Sequence, residues 1–503
     1  MSVLTAAAHR FDRLLNPIVV KELRQAVRSR FVSGMLILFL IVQLSAVTIA
    51  VLGRADLAED FSLSAGQEIT AVLFGILIVA CLLFVPMYTG IRLTHERRDI
   101  QGDLMYTTTI SPWAIVRGKL ISAVMLTVLI YSVCMPFMTF TYLLRGVDVQ
   151  VLLVCLGVGF VGVLVGVQLA ILWSCIRASG VLRILMNLAG MGALVTMAYG
   201  LIGFLVNAMD YGLPTDEPWF WPGMATAGAF ALLAVGLVHC LSVALISPDS
   251  SNRMLATRIY LTATWFITLG IAGYWWDEIG DWEFIYVWAV GSVVILIGGL
   301  MVAVSERQEW GPRVRRSIPR NPLGRLIAFL FYSGAAGGIL WCVILMGLTL
   351  LIAYLAGPVS ARRYGWDRDE VIYLLGLAQY AVAYALTGLL LWRVLMARRM
   401  KHIFIWVVVL LLVAVGMVGP ILGTFLLRSG WDGDMSVGNN FLMVTNPVTM
   451  GEDEESRAVC LVFSGLWALV AAVLSLPWMI EQFGKFKSLK PARAKRRGPA
   501  SDG

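Results

Sequence analysis

The chain has 503 residues, of which 59% are hydrophobic and 14% charged, with a mean hydropathy of +0.82 and a formal charge of +8. Soluble domains carry about 25% charged residues, so this composition excludes a soluble globular protein. Repeated, continuous apolar runs near 20 residues also exclude a β-barrel, whose strands alternate.

The first thirty residues spread their charges evenly and lack the short apolar core of a signal peptide. Asn16-Pro17 instead predicts a helix start, with Asn as cap and Pro in the first turn. The helix continues as IVVKELRQAVRSR, with Leu15, Val19, Leu23, Ala26 and Val27 on one side and Lys21, Arg24 and Arg28 on another; Glu22 follows Lys21. An amphipathic helix of this kind lies in the headgroup plane with its cations toward anionic lipid. A solvated helix that merely precedes a span is the alternative.

Twelve spans are predicted near 31–52, 70–91, 119–143, 151–173, 183–206, 223–246, 259–275, 284–304, 326–356, 371–392, 403–427 and 458–480. The ninth is long enough to be tilted, partly re-entrant, or kinked at Gly334, Gly337 and Gly338. With the N-terminus inside, the inner loops collect arginines, as at Arg92, Arg97, Arg98, Arg117 and Lys119, or Arg313, Arg315 and Arg316. The outer loops collect acids, as at Asp210, Asp216 and Glu217, or Asp277, Glu278 and Asp281. The positive-inside rule therefore predicts both termini in the cytoplasm. The expected fold class is an all-α polytopic membrane protein of about 12 transmembrane helices. Its expected parts are an interfacial helix at 1–30, six spans at 31–250, six more at 251–482 and a basic tail at 483–503. Trp219, Trp221, Trp275, Trp276, Trp282, Trp366 and Trp431 fall at the outer ends of spans, as an interfacial belt does; the alternative is the floor of a vestibule. No internal repeat is evident, although a second Asn-Pro at 321–322 precedes the ninth span.

The span interiors are nearly free of ionisable residues; Gln43, Gln168, Asn187, Asn207 and Gln379 are their main polar groups. Ion-coupled transporters place acids, His or Arg in the membrane, so a secondary transporter is disfavoured. No GxxxxGK[ST] phosphate loop occurs: the Gly-Lys pairs at 118–119 and 484–485 lack the following Ser or Thr. Leu63-Ser64-Ala65-Gly66-Gln67 imitates the LSGGQ signature of ATP-binding cassette ATPases, but lies in an outer loop without a βαβ pattern. Gly-x-Ser-x-Gly and His-Glu-x-x-His are absent, and the seven cysteines form no CxxC pair. No catalytic, cofactor-binding or metal-binding residue is therefore expected, and nothing points to nucleic acid.

One polar stretch stands apart, RLTHERRDIQGDLMYTTTISPWAIVRGK from Arg92 to Lys119, between the second and third spans. Together with NPIVVKELRQAVRSR it resembles the ABC-2 type permeases, the membrane subunits of ATP-binding cassette exporters. The residues that carry the resemblance are Glu96, Gly102, Leu104, Thr107, Thr108, Ile110, Ser111, Pro112, Ile115, Val116, Gly118 and Lys119. Asp103, where the family usually has Thr, and the charge-dense Arg97-Arg98-Asp99 depart from it. The resemblance covers roughly residues 12–250. It implies a coupling helix in this loop that docks on a separate nucleotide-binding ATPase, with ATP and Mg in that partner. It also implies pairing with a second permease subunit, homo- or heterodimeric, in the inner membrane of a prokaryote. A translocation path near Gln43, Gln168 and Asn187 is expected from polarity alone. An ordinary positive-inside loop is the alternative for the stretch, and a non-transporting membrane scaffold or regulator is the alternative for the chain.

Overall fold

The computed structural model describes residues 17–55, 63–99, 111–143, 147–176, 180–248, 250–364, 369–427, 441–451 and 454–489. No strand occurs among them, and twelve helices are long and apolar enough to cross a membrane. The chain is an all-α polytopic membrane protein. It divides into two compact units, Met1–Pro248 and Asp249–Gly503, each with its own hydrophobic core.

In the first unit, α1 (Pro17–Val27) is followed after a tight turn by α2 (Arg30–Ala55). The second span is α3 (Leu63–Val79), a π turn at Ala80–Phe84, and α4 (Val85–Asp99). Pro86 explains the wide turn: it has no N–H to give and its ring displaces the carbonyl four residues back, so the ladder loosens just before it. The unit continues with α5 (Pro112–Leu143), α6 (Val149–Cys175), α7 (Gly180–Asp210) and α8 (Phe220–Ile246).

Helix α6 lies at the middle of this unit, and its glycines set how closely neighbours approach. A Cβ on Gly159 would stand 2.8 Å from Ile78 and 3.2 Å from Phe74. One on Gly162 would stand 2.6 Å from Leu201, and one on Gly166 2.7 Å from Leu82. Small residues of this kind allow the close van der Waals packing that holds helices together in lipid, where hydrophobic burial offers little.

The second unit contains α9 (Leu255–Ile279), α10 (Glu283–Val304), α11 (Pro312–Ser317), α12 (Pro322–Phe331), α13 (Ala335–Tyr364), α14 (Asp369–Leu391), α15 (Ile405–Leu427) and α16 (Glu454–Lys485). Gly280, at φ 78°, ends α9 in the left-handed region and gives its N–H to Trp276, which allows the short turn into α10.

The long ninth run is broken between α12 and α13. Buried Arg258 donates to the carbonyls of Leu330 (2.9 Å) and Tyr332 (2.6 Å) and to Glu306 (2.5 Å), while Glu306 accepts from the Gly334 N–H at 2.6 Å. Asn252 Oδ1 accepts from the Ser333 N–H, and the Gln308 side chain from the Ala336 N–H. Irregular backbone survives near a membrane only when other protein groups satisfy it, and here they do. Burial raises the Glu306 carboxyl above the ordinary carboxylate range, against the opposing pull of Arg258 and the Gly334 N–H.

Two 3-10 turns, Phe441–Thr445 and Pro447–Gly451, also sink into this unit. Tyr380 Oη donates to the Val444 carbonyl at 2.6 Å and Tyr384 Oη to that of Thr445 at 2.7 Å. Two of the tryptophans expected in an interfacial belt are core residues instead: Trp275 stacks with Phe284, and Trp282 with Tyr286. Trp219 and Trp221 are exposed, whereas Trp366 and Trp431 lie outside the described residues.

Candidate coupling site and adjoining cavity

The stretch from Arg92 to Lys119 leaves the bundle on α4 and re-enters it on α5. Gly102, Asp103, Leu104, Thr107 and Thr108 lie outside the described residues, as does Asn16. Glu96, Arg97, Arg98 and Asp99 contribute backbone to the end of α4, and their side chains lie outside what is described. The re-entry is built as a helix start should be: Ser111 Oγ accepts from the Ala114 N–H at 3.3 Å, and Pro112 occupies the first position, where no N–H is needed.

The two ends of the stretch are joined through α1. Val19, Glu22 and Ala26 form the buried face of that helix, while Lys21, Arg24 and Arg28 are exposed on the other. Glu22 is therefore a carboxylate in the middle of an apolar stripe. Its Oε1 accepts from Lys119 Nζ at 2.7 Å, and its Oε2 lies 3.3 Å from Arg92 Nε. The Glu22 and Lys119 side chains are 5% and 3% exposed, and that of Arg92 20%. Arg92 Nη1 also donates to Tyr88 Oη at 2.8 Å, one turn back on α4. Residual space around the three charges is about 10 Å³, on the order of what a single water molecule needs. The cluster is a closed ionic latch between three helices and offers no room for a ligand.

Placement of the polar residues expected along a path is uneven. Gln43 is fully buried, with Nε2 donating to the Leu73 carbonyl at 3.1 Å. Gln168 is equally buried and donates to Ser242 Oγ at 3.4 Å. Asn187 instead lines a cavity of about 440 Å³ bounded by α4, α6 and α7. Trp173 forms part of its wall and donates Nε1 to the Met186 carbonyl at 2.7 Å; Ser174 Oγ donates toward the Ala170 carbonyl at 2.7 Å. Gly90 lets α4 approach that serine, since a Cβ there would stand 3.0 Å from Ser174 Oγ.

The latch and the cavity use opposite faces of α4. At 100° per residue, Val85, Tyr88, Thr89 and Arg92 span one arc, while Pro86, Met87, Gly90, Ile91 and Thr94 span the arc centred roughly 180° away. Tyr88, Thr89 and Arg92 border the latch, and the second set borders the cavity. Arg92, Trp173 and Arg183 were not singled out by sequence reasoning as site residues. For Arg92 the available signal was Glu22 itself, a lone acid three residues after Val19 and four before Ala26, which needs a cation wherever that stripe packs.

Among the described residues no group of His, Cys, Asp and Glu gathers in a way that could hold a metal ion. No protein-family model matches the chain, and neither a curated protein nor a solved structure matches it. The functional reading therefore rests on the residues and their arrangement.

Proposed function

We propose that the chain is the permease subunit of an ATP-binding cassette exporter of the ABC-2 type, driven by a separate ATPase that docks on the loop between the second and third spans. The supporting observation is the latch: Glu22 of α1 holds Arg92, where that loop begins, and Lys119, where it has re-entered the bundle. A push that reaches either end of the loop is then delivered to three helices at once. Mixed charges from Glu96 to Asp103 suit a docking surface, where complementarity fixes register more than it adds affinity. In this reading ATP and Mg belong to the partner, both termini are cytoplasmic, and a second permease subunit completes the transporter.

The test is co-purification. Tagged full-length chain should bring down a subunit that hydrolyses Mg-ATP. Replacing residues 96–108 by a Gly/Ser linker of equal length should abolish that capture while the protein stays monodisperse in detergent. Capture that survives the linker would refute the coupling role. Solute movement by the purified chain alone under an ion gradient would replace the whole reading with secondary transport.

A further inference from the structure

Helix α12 (Pro322–Phe331), opened by the second Asn-Pro, is apolar, but its 10 residues reach only about 15 Å, half of what a bilayer core requires. Arg258, in the first turn of α9, and Glu306, just beyond α10, bind the backbone at and just past the end of α12. The helix therefore sits at the level where crossing helices begin and end. Its faces are inverted relative to a helix that borders water. The one charged residue, Arg325, turns inward: its Nε donates to the Phe486 carbonyl at 2.5 Å, Nη2 donates to that of Phe483, and the guanidinium lies 4.5 Å from the centre of the Phe483 ring. Ala328 and Phe329 share that side and are buried. At 100° per residue Leu323, Leu326 and Ile327 fall on the opposite arc, and they are 65%, 48% and 51% exposed.

Cations accompany this apolar face. Arg313 and Arg316 on α11 and Arg320 just before α12 are exposed. Tyr332 Oη donates to the Ser317 carbonyl at 3.1 Å, which holds α11 beside the end of α12. Exposed Lys487 is brought to α11 by backbone pairing: its carbonyl accepts from Arg315 Nε at 3.5 Å, and the Leu489 N–H donates to the Arg315 carbonyl at 3.2 Å. The acids nearest in sequence are engaged elsewhere, Glu306 by Arg258 and Glu309 by Arg307. Among the described residues no acid pairs with Arg313, Arg316, Arg320 or Lys487.

We propose that α11 and α12 form a platform for anionic phospholipid, with Leu323, Leu326 and Ile327 sunk among acyl chains and Arg313, Arg316 and Arg320 on the phosphates. An apolar arc bordered by cations is what seats an amphipathic helix on an anionic membrane surface. An acidic soluble protein could satisfy the arginines, but it would have to cover the apolar arc at the depth where α10 and α13 enter lipid. The inference concerns the second unit alone and stands whether or not an ATPase partner exists.

Contact quenching by lipid tests it. All seven native cysteines are buried, so Leu326→Cys in the full-length chain offers one accessible thiol for a small fluorophore. The labelled protein is placed in nanodiscs of phosphatidylglycerol and phosphatidylcholine, with brominated acyl chains on one lipid or the other. The association constant read from brominated phosphatidylglycerol should exceed that from phosphatidylcholine about fivefold, the factor that one cation near an anionic surface supplies. Changing Arg313, Arg316 and Arg320 together to Gln should remove most of that ratio, and changing them to Lys should keep most of it. Equal quenching by the two lipids before any arginine is changed would overturn the proposal. So would a ratio that survives the glutamine substitutions, since the selectivity would then belong to the basic residues from Lys490 to Arg497. Stronger quenching by aqueous iodide than by either lipid would place the face in water, and a label that no quencher reaches would place it under protein; both results overturn the lipid contact. The variants alter only exposed side chains, so their melting midpoints should match wild type.

Discussion

Replacing Glu22 by Gln removes the anion from the latch while keeping its shape. At an effective dielectric constant of about 20, unit charges 2.7 Å apart attract by about 6 kcal/mol, and the cost of desolvating both ions offsets much of that. What the substitution leaves is a Lys119 side chain only 3% exposed without its carboxylate, a situation that typically costs about 3–5 kcal/mol. Arg92, at 20% exposure, can recover part of its solvation, which favours the lower figure of about 3 kcal/mol. Because α1 is short and reaches the bundle mainly through Val19, Glu22 and Ala26, most of the loss should appear as local undocking of α1. Amide hydrogen exchange over residues 19–27 reads this directly, and protection there should fall about a hundredfold, with exchange in α6 unchanged. The double variant Glu22→Lys with Lys119→Glu should recover only part of the protection, since Arg92 would then face a cation. Unchanged protection in Glu22→Gln would refute the idea that the ion cluster, and not apolar contact, holds α1.

Further substitutions test the packing described above. Gly159→Val should lower stability by about 1–3 kcal/mol, because its side chain must enter space held by Ile78, Tyr131 and Phe74; an unchanged melting midpoint would contradict the close approach. Arg258→Met strands the Glu306 carboxylate and frees the Leu330 and Tyr332 carbonyls, at a cost of about 3–5 kcal/mol. Glu306→Gln should be milder, since an amide oxygen can still accept from the Gly334 N–H, and chemical denaturation of the two variants should rank them in that order. Trp282→Ala should cost about 3–5 kcal/mol while Trp219→Ala costs little, and equal melting shifts would return both residues to an interfacial belt.

The spans were legible because each is a continuous apolar run whose length the bilayer dictates, a signal that is local in sequence. The same locality explains what was not legible. Residues 326–356 read as one long span, tilted, partly re-entrant or kinked at Gly334, Gly337 and Gly338, and the break does fall between Phe331 and Ala335. What was hidden is that the groups that satisfy it, Arg258 and Glu306, are supplied from α9 and from just beyond α10. Trp282 and Trp219 sit in similar sequence settings, and only tertiary packing sends one inward and leaves the other exposed. Gln43 and Asn187 looked alike as polar residues in apolar runs. The direction in which each points depends on helix rotation, which long hydrophobic helices barely encode because their apolar residues cover every side. Helix α1 was the converse case. Its polar face was correct for Lys21, Arg24 and Arg28, while the acid on its apolar face was the residue that mattered for docking.

The arrangement of α4 also has a thermodynamic consequence. One side of a single two-turn segment holds Arg92 against α1, and its other side walls the cavity. A displacement of that segment would be felt by both, so any coupling between occupancy of the cavity and docking of α1 would be reciprocal. If an occupant raises the docking constant of α1 by some factor, docking must raise the occupant's affinity by the same factor. Whatever occupies the cavity would then act on the latch as an effector, without touching the loop it secures.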